Sequence, residues 1–332
     1  MWAAFTNLLD GIMQWIQAWC RSYGWSVAVF TLFIKIISLP FDFKQRQSMK
    51  RMQALNPQLQ SIQKKYANDK EKLQQKQAEL YKKEKINPLS SCLPMLLSFP
   101  LLIAMFGVMR NVANEKLLTQ MKDIQAAVGN AASEVEVHEA LKEKENTTGF
   151  NLEQWLWVKN LWMADSPTSA IIPTDSAPIR ALQPIEGKIT AEELDSLKLF
   201  LDSPTYQYVL TYPAFNATKS AYSMNLIFTT IHFYNHPNGW FLLPLIAAIT
   251  QFLSTLLNPT DPNAAAQQGS QQKGAGNFMK YFFPLFSLYL CATSNAAFSI
   301  YWVATNIIMI FSTLGMNWFF KRKEEKVAIA QR

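Results

Sequence analysis

Hydrophobic and polar positions along this chain fall into long apolar runs separated by charged segments. Five runs predict membrane spans, over residues 25–42, 89–110, 240–257, 278–294 and 296–315. A helix rises about 1.5 Å per residue and a hydrocarbon core is about 30 Å thick, so roughly 20 apolar residues suffice to cross it. The fourth run is short and Pro284 interrupts it, which leaves its ends the least defined. Residues 1–24 precede the first span, and there Phe5, Leu8, Leu9, Ile12, Ile16 and Trp19 share one helical face. That pattern predicts an amphipathic helix lying on the outer membrane surface. The segment has no basic start and no small-residue cleavage site, so it does not read as a cleavable signal.

The polar segments have order of their own. Within residues 43–88, Leu55, Leu59, Ile62 and Tyr66 recur at helical spacing, Ala67, Asn68 and Asp69 offer a turn, and Leu73, Leu80 and Tyr81 start a second helix. This predicts a cytoplasmic antiparallel helical hairpin with a thin apolar seam, weakly packed and mobile. Residues 111–239 form a long extracytoplasmic loop. There Thr190 and Glu193 make a capping box ahead of Leu194, Leu197, Leu199 and Leu201, while Pro167, Pro173, Pro178 and Pro184 punctuate an irregular stretch. Trp155, Trp157 and Trp162 read as an anchor at the outer leaflet. Residues 258–277 read as a short cytoplasmic loop and 316–332 as a basic cytoplasmic tail.

Charge supplies the orientation. Between Phe43 and Pro88 twelve basic residues face four acidic ones, and the tail adds Lys321, Arg322, Lys323, Lys326 and Arg332. Residues 111–239 are acidic overall. Positive segments stay inside, so the N-terminus is expected outside and the C-terminus in the cytoplasm. An apolar content of 49% with a net charge of +7 suits a membrane protein carrying large polar attachments. Cys20, Cys92 and Cys291 have no metal-ligand spacing, and His232 and His236, four apart, lack the glutamate that a metal-hydrolase pair would need, so no metal or cofactor is expected.

Lys35 is the chemical oddity. It lies ten residues, about 15 Å, below Trp25, near the middle of the first span. A lysine at such a position costs roughly 2.5 to 3.5 kcal/mol on insertion scales and marks a functional site by default. Ala28, Thr31, Ser38 and Asp42 share its face, so that face should meet protein or water. Each other span also has one polar edge: Ser91 and Ser98; Ala248, Gln251 and Thr255; Ser287, Cys291 and Ser294; Ser299, Trp302, Asn306 and Thr313. Together they predict a wetted groove lined by Lys35, Thr31, Ser38, Ser91, Ser98, Gln251, Ser287, Trp302 and Asn306. For any single hydroxyl, ordinary helix packing explains as much.

Several motifs resemble those of a known family. Phe33-Ile34-Lys35-Ile36-Ile37-Ser38-Leu39-Pro40, followed by Lys44-Gln45-Arg46-Gln47-Ser48-Met49-Lys50, looks like the first span and following helix of the YidC membrane insertases. The likeness continues at Asn87-Pro88-Leu89, at Cys92-Leu93-Pro94 through Pro100, at Trp155 to Leu161, and at Ile300-Tyr301-Trp302-Val303 with Thr305-Asn306. The resemblance implies an all-α polytopic fold of five transmembrane helices around a hydrophilic groove, open to cytoplasm and lipid and closed outside. It implies an insertase and chaperone, not an enzyme, of the bacterial plasma membrane, passing nascent membrane proteins into the lipid bilayer.

Two positions depart from the family. Relatives most often carry arginine at the position of Lys35 and commonly glutamine at that of Ser98. Lysine keeps the charge but loses the planar five-donor fork, so attraction of negative charge is expected and a bidentate grip is not. The resemblance is to a member of the family expected to be without the large periplasmic domain of some relatives.

The basic hairpin and tail suit a ribosome or targeting receptor, and the general translocation channel is a further candidate partner. An anion transporter or channel using Lys35 as its site is the main alternative, though no repeated half is visible. An intramembrane enzyme would need paired acids or histidine within the spans, and they offer neither.

Overall fold

The computed structural model describes residues 2–84, 93–185, 187–225, 230–257 and 275–330. Its elements in chain order are α1 (Trp2–Cys20), α2 (Tyr23–Ala54), α3 (Asn56–Lys65), α4 (Lys70–Lys83), α5 (Leu93–Val128), α6 (Glu134–Thr147), α7 (Ala191–Leu201), α8 (Pro204–Thr211), β1 (Lys219–Asn225), β2 (Thr230–Tyr234), α9 (Leu242–Leu257), α10 (Ala275–Thr293) and α11 (Ala296–Ala330). The fold is mostly helical. Among the described residues two stretches are long and apolar enough to cross a membrane, Tyr23–Ser48 of α2 and Ala296–Lys323 of α11; Leu242–Leu257 is a shorter apolar helix.

The outward faces of these helices are apolar. Leu245, Ile249, Leu253 and Leu256 of α9 are exposed at helical spacing, as are Leu285 and Tyr289 of α10 and Ile307, Phe311, Leu314 and Trp318 of α11. Stripes of this size suit hydrocarbon better than water. The inward faces pack together, with α11 against both α2 and α9, and α10 against α9.

Three helices outrun their hydrophobic stretches. α5 has 36 residues, about 54 Å, so it continues well past residue 110, where hydropathy ends the second span. Its buried stripe, Ala104, Val108, Leu117, Met121, Ile124 and Val128, keeps one face covered throughout. α2 likewise continues to Ala54 and α11 to Ala330.

The C-terminal half of α5 is the spine of a subdomain. α6, α7 and α8 pack around it, burying Val137, Leu141, Leu194, Leu197, Leu201, Tyr206 and Val209. Two capping boxes start its helices: Thr190 with Glu193, and Ser133 with Glu136. The second was not anticipated. The buried Tyr206 hydroxyl donates to the Pro173 carbonyl at 2.6 Å, and burial pushes that phenol well above its ordinary value. The antiparallel pair β1 and β2 closes the subdomain, so the chain is not all-α. His232 lies on β2 and His236 beyond its end at Tyr234, so the two do not stand one turn apart on a helix.

At the other end, Leu55 and Leu59 of the α2–α3 junction meet Leu80 and Tyr81 at the end of α4, with Ile62 alongside. The first turn of α3 therefore faces the last turn of α4, an antiparallel hairpin with a small seam. Asp69 caps α4 by accepting from the Lys72 amide at 3.1 Å.

α1 packs on α2 and α5 through Leu9, Met13 and Ile16, all buried. Leu8, Trp15 and Trp19 point outward. The apolar residues of α1 are thus shared between a protein face and an exposed one.

Candidate functional site

The candidate site lies on the inward faces of α2, α9, α10 and α11, and one end of it, at the N-termini of α2, α9 and α11, is sealed by one segment, residues 153–165. Helix N-termini carry free amides and a partial positive charge, so each needs acceptors. Glu153 Oε1 accepts from the Tyr23 amide at the start of α2, at 2.8 Å. Asp165 accepts from the Phe241 amide at 3.2 Å and the Leu243 amide at 2.7 Å, at the start of α9. The carbonyls of Met163 and Leu161 accept from the amides of Ala296 and Ala297, at the start of α11. One short segment thereby fixes the N-terminal ends of three helices.

Side chains lock that segment in turn. Asn160 and Asn238, both fully buried, exchange hydrogen bonds: Asn160 N donates to Asn238 Oδ1 at 2.8 Å, and Asn238 Nδ2 to the Asn160 carbonyl at 2.9 Å. Asn160 Nδ2 also donates to Gln120 Oε1 of α5 at 3.0 Å. Trp157 Nε1 donates to Asp165 at 3.1 Å. Trp155 lies against Gly24, and Trp162 is buried edge-on to Tyr23 at 4.7 Å between ring centres. These tryptophans pack the helix tops; Trp162 is too buried to anchor in lipid. Burial pushes the nearby Lys159 ammonium below its ordinary value.

Below this seal the charged face of α2 opens gradually. Val27 and Thr31 are buried, and the Thr31 hydroxyl is satisfied within the helix by the Val27 carbonyl at 2.7 Å. Lys35, four residues on, is partly exposed, with its Nζ 3.8 Å from Asp42 Oδ2. Ser38, also partly exposed, donates to the Lys35 carbonyl at 3.1 Å. The amine therefore points toward the C-terminal end of α2, where Arg46 bridges to α11 through Thr313 Oγ1 at 2.7 Å and Asn317 Oδ1 at 3.1 Å.

The remaining candidates lie on the facing helices. Asn306, buried on α11, donates to the Ala247 carbonyl at 3.4 Å and to Thr250 Oγ1 at 3.3 Å, tying α11 to α9. Gln251 is half-buried on α9. Ser287 is wholly buried on α10, and its hydroxyl has no hydrogen-bond partner among the described residues; the same holds for Trp302 Nε1 on α11. Unsatisfied buried polar atoms of this kind are uncommon in folded proteins. Ser91 lies outside the described residues, and Ser98 is described only as part of α5.

Sequence pattern passed over Glu153, Asp165 and Asn238 as acceptors and locks, and the bridge from Arg46 to Thr313 and Asn317. The run Trp155 to Leu161 was the one signal that this part of the external loop mattered.

Comparison with known proteins bears on this arrangement. The family model of the 60Kd inner membrane protein matches residues 15–324. The chain belongs to that family. A relative from Fusobacterium nucleatum, named a membrane protein insertase YidC, is 50% identical over 109 residues, which is 32% of this chain and 53% of that protein. A relative of the same name from Clostridium tetani is 48% identical over 91 residues, 27% of this chain and 41% of its own. A third, from Wolinella succinogenes, is 36% identical over 112 residues, 34% and 21%. The chain spans about half or less of the curated relatives it matches. For a 60Kd inner membrane protein, apolar outward stripes on α9, α10 and α11 are the expected surface.

Proposed function

We propose that this protein is a membrane protein insertase and chaperone. It moves hydrophobic segments of newly made proteins from the cytoplasm into the bilayer, and it is not an enzyme. In this reading α2, α5, α9, α10 and α11 are five spans around a hydrophilic groove, with the external subdomain outside and the α3–α4 hairpin and basic tail in the cytoplasm. The observation that carries the reading is the exposure gradient along α2: sealed at Val27 and Thr31 beneath residues 153–165, then open from Lys35 to Asp42. A groove of that shape admits polar chain from the cytoplasm and stops it short of the outside.

Lys35 attracts the substrate's polar, preferably acidic, external tail partway across the bilayer, with Ser38, Gln251, Ser287, Trp302 and Asn306 offering polar contacts. This shortens the distance that polar groups must cross in hydrocarbon, where each unpaired one is costly. The apolar segment then passes into lipid, and its transfer supplies the drive. The basic hairpin and tail are placed to meet a ribosome, a targeting receptor or the general translocation channel.

The test is reconstitution. The full chain, purified into protein-free liposomes, should insert a single-span substrate with no nucleotide present, and the gene should restore growth to cells depleted of their own insertase. Failure of both contradicts the reading.

A further inference from the structure

Lys35, Asp42 and Arg46 stand on one face of α2, at spacings of seven and four residues. Lys35 reaches Asp42 at 3.8 Å, with the two side chains 24% and 32% exposed. Asp42 also interacts electrostatically with Arg46. That acid-before-base order is the favourable one for an i,i+4 pair. Arg46 itself is held by Thr313 and Asn317 across the α2–α11 contact. Asp42 therefore sits between two cations, one extended along its own helix and one anchored to a neighbour. Pro40 lies between Lys35 and Asp42; without an N–H it leaves the Ile36 carbonyl short of its helical donor, so the backbone is weakest between the two charges.

We propose that Asp42 is the resting counter-ion of Lys35, holding the place of a substrate carboxylate until an acidic tail displaces it toward Arg46. The inference rests on the insertase reading above. A pair with this much exposure shifts an equilibrium by only roughly one- to fivefold, so an entering carboxylate competes with it on equal terms. A neutral tail brings nothing that replaces Asp42 at the ammonium, whereas an acidic tail does. Arg46 keeps the displaced Asp42 from being left unpaired, which would otherwise be costly. Lysine suits this exchange because a point charge with rotatable donors trades partners without dismantling a two-bond fork.

Zero-length carbodiimide coupling of the full chain in liposomes, read by mass spectrometry, tests the exchange without relying on insertion. In the resting protein an amide should form between Lys35 and Asp42. Adding an acidic-tailed segment should lower that product and yield a Lys35–substrate amide; the same segment with asparagine in place of its acids should do neither. In insertion assays D42N should raise the ratio of acidic-tailed to neutral-tailed product roughly two- to fivefold, and Asp42→Glu should restore the wild-type ratio. No Lys35–Asp42 product at rest, a product that acidic substrate leaves unchanged, or an unaltered ratio in D42N would each overturn the proposal. If the wild-type chain inserts nothing, the insertase reading fails, while the resting crosslink still reports on the pair.

Discussion

Asp165, wholly buried, holds the first turn of α9 by accepting the Leu243 amide at 2.7 Å. The same carboxylate takes the Phe241 amide and the Trp157 indole N–H. Gly239 makes the approach feasible: a Cβ there would stand 1.9 Å from Asp165 Oδ1. Asp165→Ala would leave three donors without their acceptor, at about 1 to 3 kcal/mol for each that stays buried. We expect a loss of roughly 2 to 5 kcal/mol in denaturant unfolding of the detergent-solubilised protein, with Gly239→Ala also destabilising. A loss below about 1 kcal/mol for Asp165→Ala would show that water or another group replaces the carboxylate readily.

Gly24 and Trp155 make the equivalent contact at α2. A Cβ on Gly24 would lie 2.4 Å from the Trp155 ring, which also sits edge-on to Trp25 at 5.5 Å. Gly24→Ala should therefore expel Trp155. In Trp155→Ala the same glycine change should cost almost nothing more. Thermal unfolding of the two single variants and the double variant checks this, and additive losses would contradict direct contact.

The subdomain built on α5 should lose stability at both pH extremes. Lys122 and the Thr190 amide hold the Glu193 carboxyl below its ordinary 4.5, and the Ser176 hydroxyl and amide hold Asp202 below 3.8. Depressed carboxylates stabilise the fold above their unfolded values, and that contribution is lost as pH falls below about 4. Burial, with Glu145, pushes the Tyr212 phenol up to about 12, a contribution present below pH 10 and lost as pH rises toward 12. Unfolding followed from pH 3 to 12 should show both edges. Glu193→Gln with Asp202→Asn should flatten the acid edge alone, and Tyr212→Phe the alkaline edge alone.

Lys35 was legible because a charge in an apolar run has no cheap structural explanation, and its face could be read from Thr31, Ser38 and Asp42. Leu55, Leu59 and Leu80 made the hairpin legible for the same local reason. The continuation of α5 to Val128 was hidden because hydropathy falls after residue 110 while the buried stripe persists in a helix with a polar outer face. The subdomain core was hidden because Ile171, Tyr206 and Phe215 meet only through contacts distant in sequence. Asp165 and Glu153 looked like two more loop acids; nothing local to either marks it as the acceptor for a helix more than 70 residues away.

Asn306 shows the limit from the other side. Its place on a polar edge of α11 was readable, but a groove-lining amide and one that ties α11 to α9 have the same pattern. Here its amide nitrogen is directed at Ala247 and Thr250.

The central claim is that the charge at Lys35 draws in acidic tails. Insertion of two substrates differing only in an acidic or a neutral external tail should be compared in liposomes carrying wild-type, Lys35→Arg and Lys35→Ala protein. The account predicts that Lys35→Arg retains the preference for the acidic tail, and that Lys35→Ala lowers acidic-tailed insertion at least roughly threefold more than neutral-tailed insertion. Equal losses for both tails in Lys35→Ala would contradict it.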